Sequence, residues 1–149
     1  MDFTAVTLTI PTTERVSYQL ARVERDMRAC LDKQLAPLDI SLTHWAVLSH
    51  LMREPGLSVA GLAERTLVTQ QAVSLILAKL EHQKRITRHP NPRDGRSRIL
   101  TVTRSGQAIC HRCDERVLEL ENAFRRALGE NVAHFFQMLA ALSTVCTAR

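Results

Sequence analysis

From Glu14 onward, apolar residues recur at steps of three and four: Val16, Leu20, Val23, Met27, Leu31 and Leu35. That spacing keeps one face of an α-helix apolar, and Pro37 predicts its end. Ser41 then opens a second helix, with Ile40 before it and Trp45 at the matching staple position. It runs through Val47, Leu48 and Leu51 and stops at the Glu54–Gly56 turn. The same start signal recurs at Ser58, between Leu57 and Leu62, and at Thr69, between Val68 and Val73. Each hydroxyl can accept a bond from a free backbone N–H at its helix start. The residues before Thr13 are Thr-rich and are expected to form a mobile arm, residues 1–12.

After Lys84 the period changes from about 3.6 to two. "ITRH" and "RILTVT" predict short strands on either side of a Pro-, Asn-, Asp- and Gly-containing connection, a β-hairpin with a long loop. A helix follows from about Arg104, with Ile109, Cys113, Val117, Leu120, Phe124 and Leu128 in register, and Gly129 stops it. The last helix carries Val132, Phe135, Phe136, Leu139, Leu142 and Cys146. The fold class is therefore mainly α with a small β-hairpin wing. A winged helix-turn-helix, residues 37–103, is flanked by helical segments at residues 13–36 and 104–149. The short helix from Ser58 and the longer one from Thr69, joined by Thr66–Val68, have the length and spacing of a helix-turn-helix.

Composition narrows the possible partners. The 149 residues are 45% hydrophobic, enough for a core, but only 4% aromatic, which disfavours stacking platforms for single-stranded nucleic acid. Lys and Arg total 20 against 15 Asp and Glu, a formal charge of +5 that favours polyanionic partners. No apolar run approaches the ~20 residues that span a bilayer, and no secretory signal is evident, so no membrane partner and a cytoplasmic location are expected. Cys30, Cys110, Cys113 and Cys146 then read as reduced core residues rather than a disulfide framework.

The helix opened by Thr69 turns Val73, Ile76, Leu77 and Leu80 inward, so that Gln70, Gln71 and Ser74 can face away. Gln pairs with adenine in the major groove, Ser and Thr bond bases or phosphates, and Lys79 can add a backbone contact. The helix starts at Ser58 and Thr69 also offer N–H groups to phosphates. The competing reading is a solvated polar face. The hairpin shifts the balance, because Arg88, Arg93, Arg96 and Arg98 follow directly as a wing, and arginines suit the narrow minor groove. Asp94 is suited to pairing with one of them and holding the loop in shape, while Gly95 frees the turn.

Here a family resemblance becomes specific. "NPRDGRSRILTVTRSG" (Asn91 to Gly106) resembles the wing and following helix start of the MarR family of bacterial transcriptional regulators, including an aspartate two residues before an arginine, Asp94 and Arg96. Leu57 to Ile86 is similar to the family's helix-turn-helix, and Leu35 to Leu51 to the corresponding stretch of its SlyA-like members. The similarity runs from about residue 15 to the C-terminus. It implies a sequence-specific regulator, usually a repressor, acting on double-stranded DNA as a homodimer whose first and last two helices interlock. Three long apolar-striped helices around a small winged unit agree with that assembly. A two-fold dimer would present its recognition helices to successive major grooves of a pseudo-palindrome.

The resemblance also implies a cleft for small aromatic or phenolic acids, lined by Arg25, Arg28 and Trp45, with Ser49 one turn beyond. An arginine can grip a carboxylate with two bonds beside a flat indole wall. At ~100° per residue Arg28 lies at the edge of the first helix's apolar stripe, and Arg25 points nearly opposite. Ser49 stands where many relatives have a histidine, with His50 adjacent. Two rival readings remain open. Cys110 and Cys113, spaced C-x-x-C, raise a thiol-based redox sensor against plain core packing, while a sequence-neutral architectural DNA binder would need no Gln-bearing helix. No second ligand pair suggests a metal site, no cofactor is implied, and the dispersed histidines form no catalytic pattern, so an enzyme is not expected.

Overall fold

The computed structural model describes residues 11–92 and 94–148, and the side chains of residues 94–97 lie outside the described set. The chain divides into two compact units, Met1–Cys113 and Asp114–Arg149. Helix α5 passes from one into the other.

In the first unit, a single 3-10 turn at Thr12–Glu14 precedes α1, Val16–Leu35. The expected arm therefore ends in ordered backbone, with the Glu14 N–H donating to the Pro11 carbonyl at 2.9 Å; its residues 1–10 lie outside the described residues. Another 3-10 turn containing Pro37 follows α1, and Asp39, at φ 50°, redirects the chain. Helix α2, Leu42–Arg53, starts where Ser41 accepts the His44 N–H. The Leu42 N–H donates to Asp32 Oδ1 at 2.8 Å, which fixes the start of α2 to the end of α1. Helices α3, Val59–Thr66, and α4, Gln70–His82, are capped by the hydroxyls of Ser58 and Thr69, each accepting an N–H three residues on. Leu67 joins them in the left-handed region, at φ 55°.

The core of this unit gathers one buried stripe from each element: Val47 and Leu48, Leu62, Val73 with Leu77 and Leu80, then Ile86, Leu100 and Val102 of the hairpin. Cys110 and Cys113 of α5 are buried as well, which agrees with core packing. Cys30 and Cys146, also expected in the core, are exposed, because the helix faces that carry them are not covered within one chain.

The hairpin corrects one expectation. Strands β1, Ile86–Asn91, and β2, Asp94–Val102, are longer than the alternation suggested, and only two residues separate them. The ladder runs evenly from Ile86 opposite Val102 to Pro90 opposite Arg98, then becomes irregular between Pro90 and Asn91. Proline has no N–H to give the ladder, so an irregularity there is where pairing should slip. Cross-strand pairing nevertheless carries the strands through residues that read locally as loop formers.

Thr103 locks the hairpin to α5, Arg104–Leu128. Its N–H donates to the Arg85 carbonyl at 2.9 Å. Its hydroxyl donates to the Lys84 carbonyl at 2.8 Å and accepts the Gly106 N–H at 3.1 Å. Glycine is required at 106 because a Cβ there would sit 2.1 Å from the Arg85 carbonyl oxygen.

The second unit holds the remainder of α5, a turn entered through Gly129 at φ 57°, and α6, Val132–Thr147. Helix α6 contains no Asp, Glu, Lys or Arg, yet none of its residues is buried. Phe136 is 53% exposed and Val145 60%. A helix this apolar on every side is ordinarily covered.

Candidate nucleic-acid interface

Helix α4 is amphipathic in an unusual sense. Val73, Ile76, Leu77 and Leu80 are buried, and at ~100° per residue the pole opposite them carries Gln71, Leu75 and Ala78. Gln70, Gln71 and Ser74 are all exposed, as the sequence led us to expect. The Ser74 hydroxyl donates to the Gln70 carbonyl at 2.9 Å, which leaves its oxygen free to accept. The Thr69 and Ser58 hydroxyls are engaged as caps, accepting the Ala72 and Gly61 N–H groups at 3.1 Å each. Both hold their helix starts in shape while the outward N–H groups of the first turns remain available to a phosphate oxygen.

The cationic side chains separate into two roles. Arg98 is exposed on the outer half of the hairpin. Arg88 instead reaches back to α4, its Nε 2.9 Å from a carboxylate oxygen of Glu81. The strand period explains this: Arg88 lies on the face of β1 that also carries buried Ile86, opposite Leu100. It braces the wing against α4 rather than extending from the tip. Arg93, and the side chains of Asp94 and Arg96, fall outside the described residues.

Lys79 lies on the other flank of α4, where it borders an open pocket of about 310 Å³ with Asp32, Asp39 and Ser41. Its charge also reaches His44. Burial first, and then the Lys79 and Arg85 cations, hold the His44 imidazole below its ordinary pKa, with Asp39 opposing them. The His44 Nδ1 lies 2.5 Å from the Ser41 hydroxyl, within the α2 cap.

Residues 38–97 match the MarR family. The HTH-type transcriptional repressor Mb2911 of Mycobacterium bovis is 35% identical over 99 residues, covering 66% of this chain and 71% of its own length. This chain belongs to the MarR family. Another member of the family, Rv2887 of Mycobacterium tuberculosis, has been solved with salicylic acid; it is 32% identical, with a TM-score of 0.69 over 86% of this chain and 96% of that one. The MepR–DNA complex of S. aureus shares the fold at 24% identity, with a TM-score of 0.77 over 90% of this chain and 96% of that one. In this chain the helical frame carries a two-stranded antiparallel wing.

The residues expected to line an acid-binding cleft in this MarR-family chain all lie on α1 and α2. Arg25 is exposed and pairs with its neighbour Asp26 at 3.0 Å. Arg28 pairs with Glu24, one turn back, at 2.8 Å. Trp45 is half-buried and Ser49 is buried. Both arginines are thus engaged by acids of their own helix, each pair being solvent-exposed and worth ~1 kcal/mol or less.

Leu75 is an exposed residue of the outward α4 surface that the sequence reading did not single out. It is 68% exposed at the centre of the outward pole of α4. The signal was present in the helical spacing, since Leu75 falls opposite the Val73–Leu80 stripe. Among the described residues no helix is long and apolar enough to cross a membrane, and no cluster of His, Cys, Asp or Glu could hold a metal ion.

Proposed function

We propose that this MarR-family chain is a transcriptional repressor that binds double-stranded DNA as a homodimer, works in the cytoplasm by binding rather than catalysis, and releases its operator on taking up a small aromatic acid. The observation that carries this reading is the solvent-facing surface of α4. Uncharged hydrogen-bonding side chains, Gln70, Gln71 and Ser74, stand clear of the core on the helix opened by Thr69, and the hairpin bearing Arg98 follows. Gln70, Gln71 and Ser74 read base edges, the caps at Ser58 and Thr69 set N–H groups against phosphates, Lys79 adds charge, and Arg98 tracks the neighbouring groove with Arg93 and Arg96. Asp94 holds the tip, and Arg88 fixes the angle between wing and α4. Residues 37–103 form the DNA-binding region and residues 13–36 and 104–149 the dimerisation region.

The uncharged, uncovered α6 supports the dimer, together with exposed Val16, Leu20 and Val23 on α1 and Leu118 on α5. A second copy supplies the missing apolar cover, as in obligate interfaces that resemble a core cut in half. The salicylic acid bound by Rv2887 supports an aromatic acid as effector, with Arg28 and Trp45 the foremost contacts and Arg25 and Ser49 beside them.

Selection from random duplexes followed by footprinting tests the reading. The expected result is one protected site with dyad symmetry, its half-sites about 34–36 Å or one helical turn apart. Equal affinity for all duplexes at moderate salt overturns it. Phe136→Asp should leave monomers in sedimentation and abolish protection. Salicylate should quench Trp45, the only tryptophan, and release the duplex; absence of both removes the effector. Diamide should not release the duplex through Cys110 and Cys113, which are buried; the exposed thiols it can reach are Cys30 and Cys146.

A further inference from the structure

Helix α4 carries no charged side chain from Gln70 to Ala78. Its outward pole over that stretch is Gln71, Leu75 and Ala78, with Ser74 on the shoulder. Leu75 keeps 68% of its surface in solvent, an isolated large aliphatic group where the core has no use for it. A single exposed leucine on a protein surface ordinarily needs no explanation. Here its place on α4 decides the matter. A helix lying in the major groove turns its outward pole to the floor, where the base edges are, while the phosphates line the rims. Of the groups on that floor, donors and acceptors suit Gln71 and Ser74, and the apolar one is the 5-methyl of thymine.

We propose that Leu75 is a specificity-determining residue that packs against the 5-methyl group of a thymine in each operator half-site. The inference rests on the DNA-binding reading above and adds to it the base that the pole of α4 selects. Gln71, one turn N-terminal to Leu75, hydrogen-bonds within the same few base pairs, so an A·T pair neighbouring the thymine follows from the same geometry. The contact is apolar. It should therefore contribute to discrimination between sequences and leave the salt dependence of binding unchanged.

The test uses the full-length protein and the duplex recovered by selection, with each thymine replaced in turn by deoxyuridine. Uracil keeps the hydrogen-bonding edge of thymine and lacks only the methyl group. The wild-type protein should lose about fourfold in affinity at one thymine per half-site, the equivalent of ~0.8 kcal/mol for one methyl-sized group. Leu75→Ala should bind the thymine and uracil duplexes equally at that position, with an unchanged salt slope, and Leu75→Met should restore the preference. Leu75 is exposed, so both variants should keep the wild-type circular dichroism and melting behaviour. A flat uracil scan, a selected half-site without thymine, or a thymine preference that survives Leu75→Ala overturns the proposal while the regulator reading stands. Failure of the wild-type protein to enrich any sequence refutes the regulator reading itself, and this inference falls with it.

Discussion

Gly106→Ala perturbs the joint between wing and α5 with a single methyl group. The added Cβ would lie 2.1 Å from the Arg85 carbonyl oxygen, 3.0 Å from its carbon and 2.7 Å from Cγ1 of Val102. Carbon–oxygen contacts normally begin at about 3.3 Å, so the two backbone segments must part by roughly 1 Å. Val102 can adjust its rotamer, but the Arg85 carbonyl is held by the Thr103 N–H at 2.9 Å. Overpacking of this kind costs ~1–3 kcal/mol, and a backbone obstacle places it near the upper end. Better helix propensity returns at most ~1 kcal/mol, while the strained Thr103 bonds lose a similar amount. The net loss is about 2–3 kcal/mol, or roughly 5–10 °C in Tm for a chain of this size. Gly61→Ala in α3 is the matched control. There the nearest atoms are Leu57 Cδ2 at 3.1 Å and Ser58 Oγ at 3.5 Å, side chains able to give way. It should be neutral or slightly stabilising. Thermal melts followed by circular dichroism at one protomer concentration decide between them. A Gly106→Ala protein melting within about 1 °C of wild type, or below-wild-type stability for Gly61→Ala alone, would refute the reasoning.

Other outcomes follow from the same geometry. Leu67 is 91% exposed and held at φ 55°; replacing it with Gly removes left-handed strain of ~1 kcal/mol without loss of packing and should raise the Tm by about 2–4 °C in the same melts. The folded His44 imidazole has its pKa below the ordinary 6.5, so as pH falls below 6.5 the unfolded chain takes up the proton first. Stability should decline from 6.5 down to the folded pKa and then level off, and His44→Gln should flatten that part of the profile. Arg98→Ala should weaken binding across all duplexes and lower the slope of log affinity against log salt by about one unit, measured by titration at several salt concentrations. An unchanged slope would take Arg98 off the phosphate backbone.

Local chemistry was the most legible part of the chain. Ser41, Ser58 and Thr69 announce their helices because a cap joins a side chain to a backbone N–H only three residues away. The inward stripe of α4 was equally plain. The hairpin's extent was not, because Pro90 and Asn91 look like loop residues and only pairing across the hairpin keeps them in the ladder. Arg88 was read with the wing tip for the same reason: its period-two relation to Ile86 predicts a face, whereas its partner Glu81 is supplied by the tertiary fold. Gly106 gives no local hint of its necessity, since the obstacle is a carbonyl 21 positions earlier. Along α1, periodicity showed an apolar face from Val16 to Leu35, but Leu35 alone of that helix is buried within one chain. A stripe reports that a surface shuns water without reporting what shields it.

The naked, chargeless terminal helix has a consequence for dosage. If pairing is what shelters α6, the amount of competent regulator at low abundance grows with the square of the number of chains, so halving synthesis removes about three-quarters of the pairs. Promoter control by such a molecule would respond steeply to its own expression.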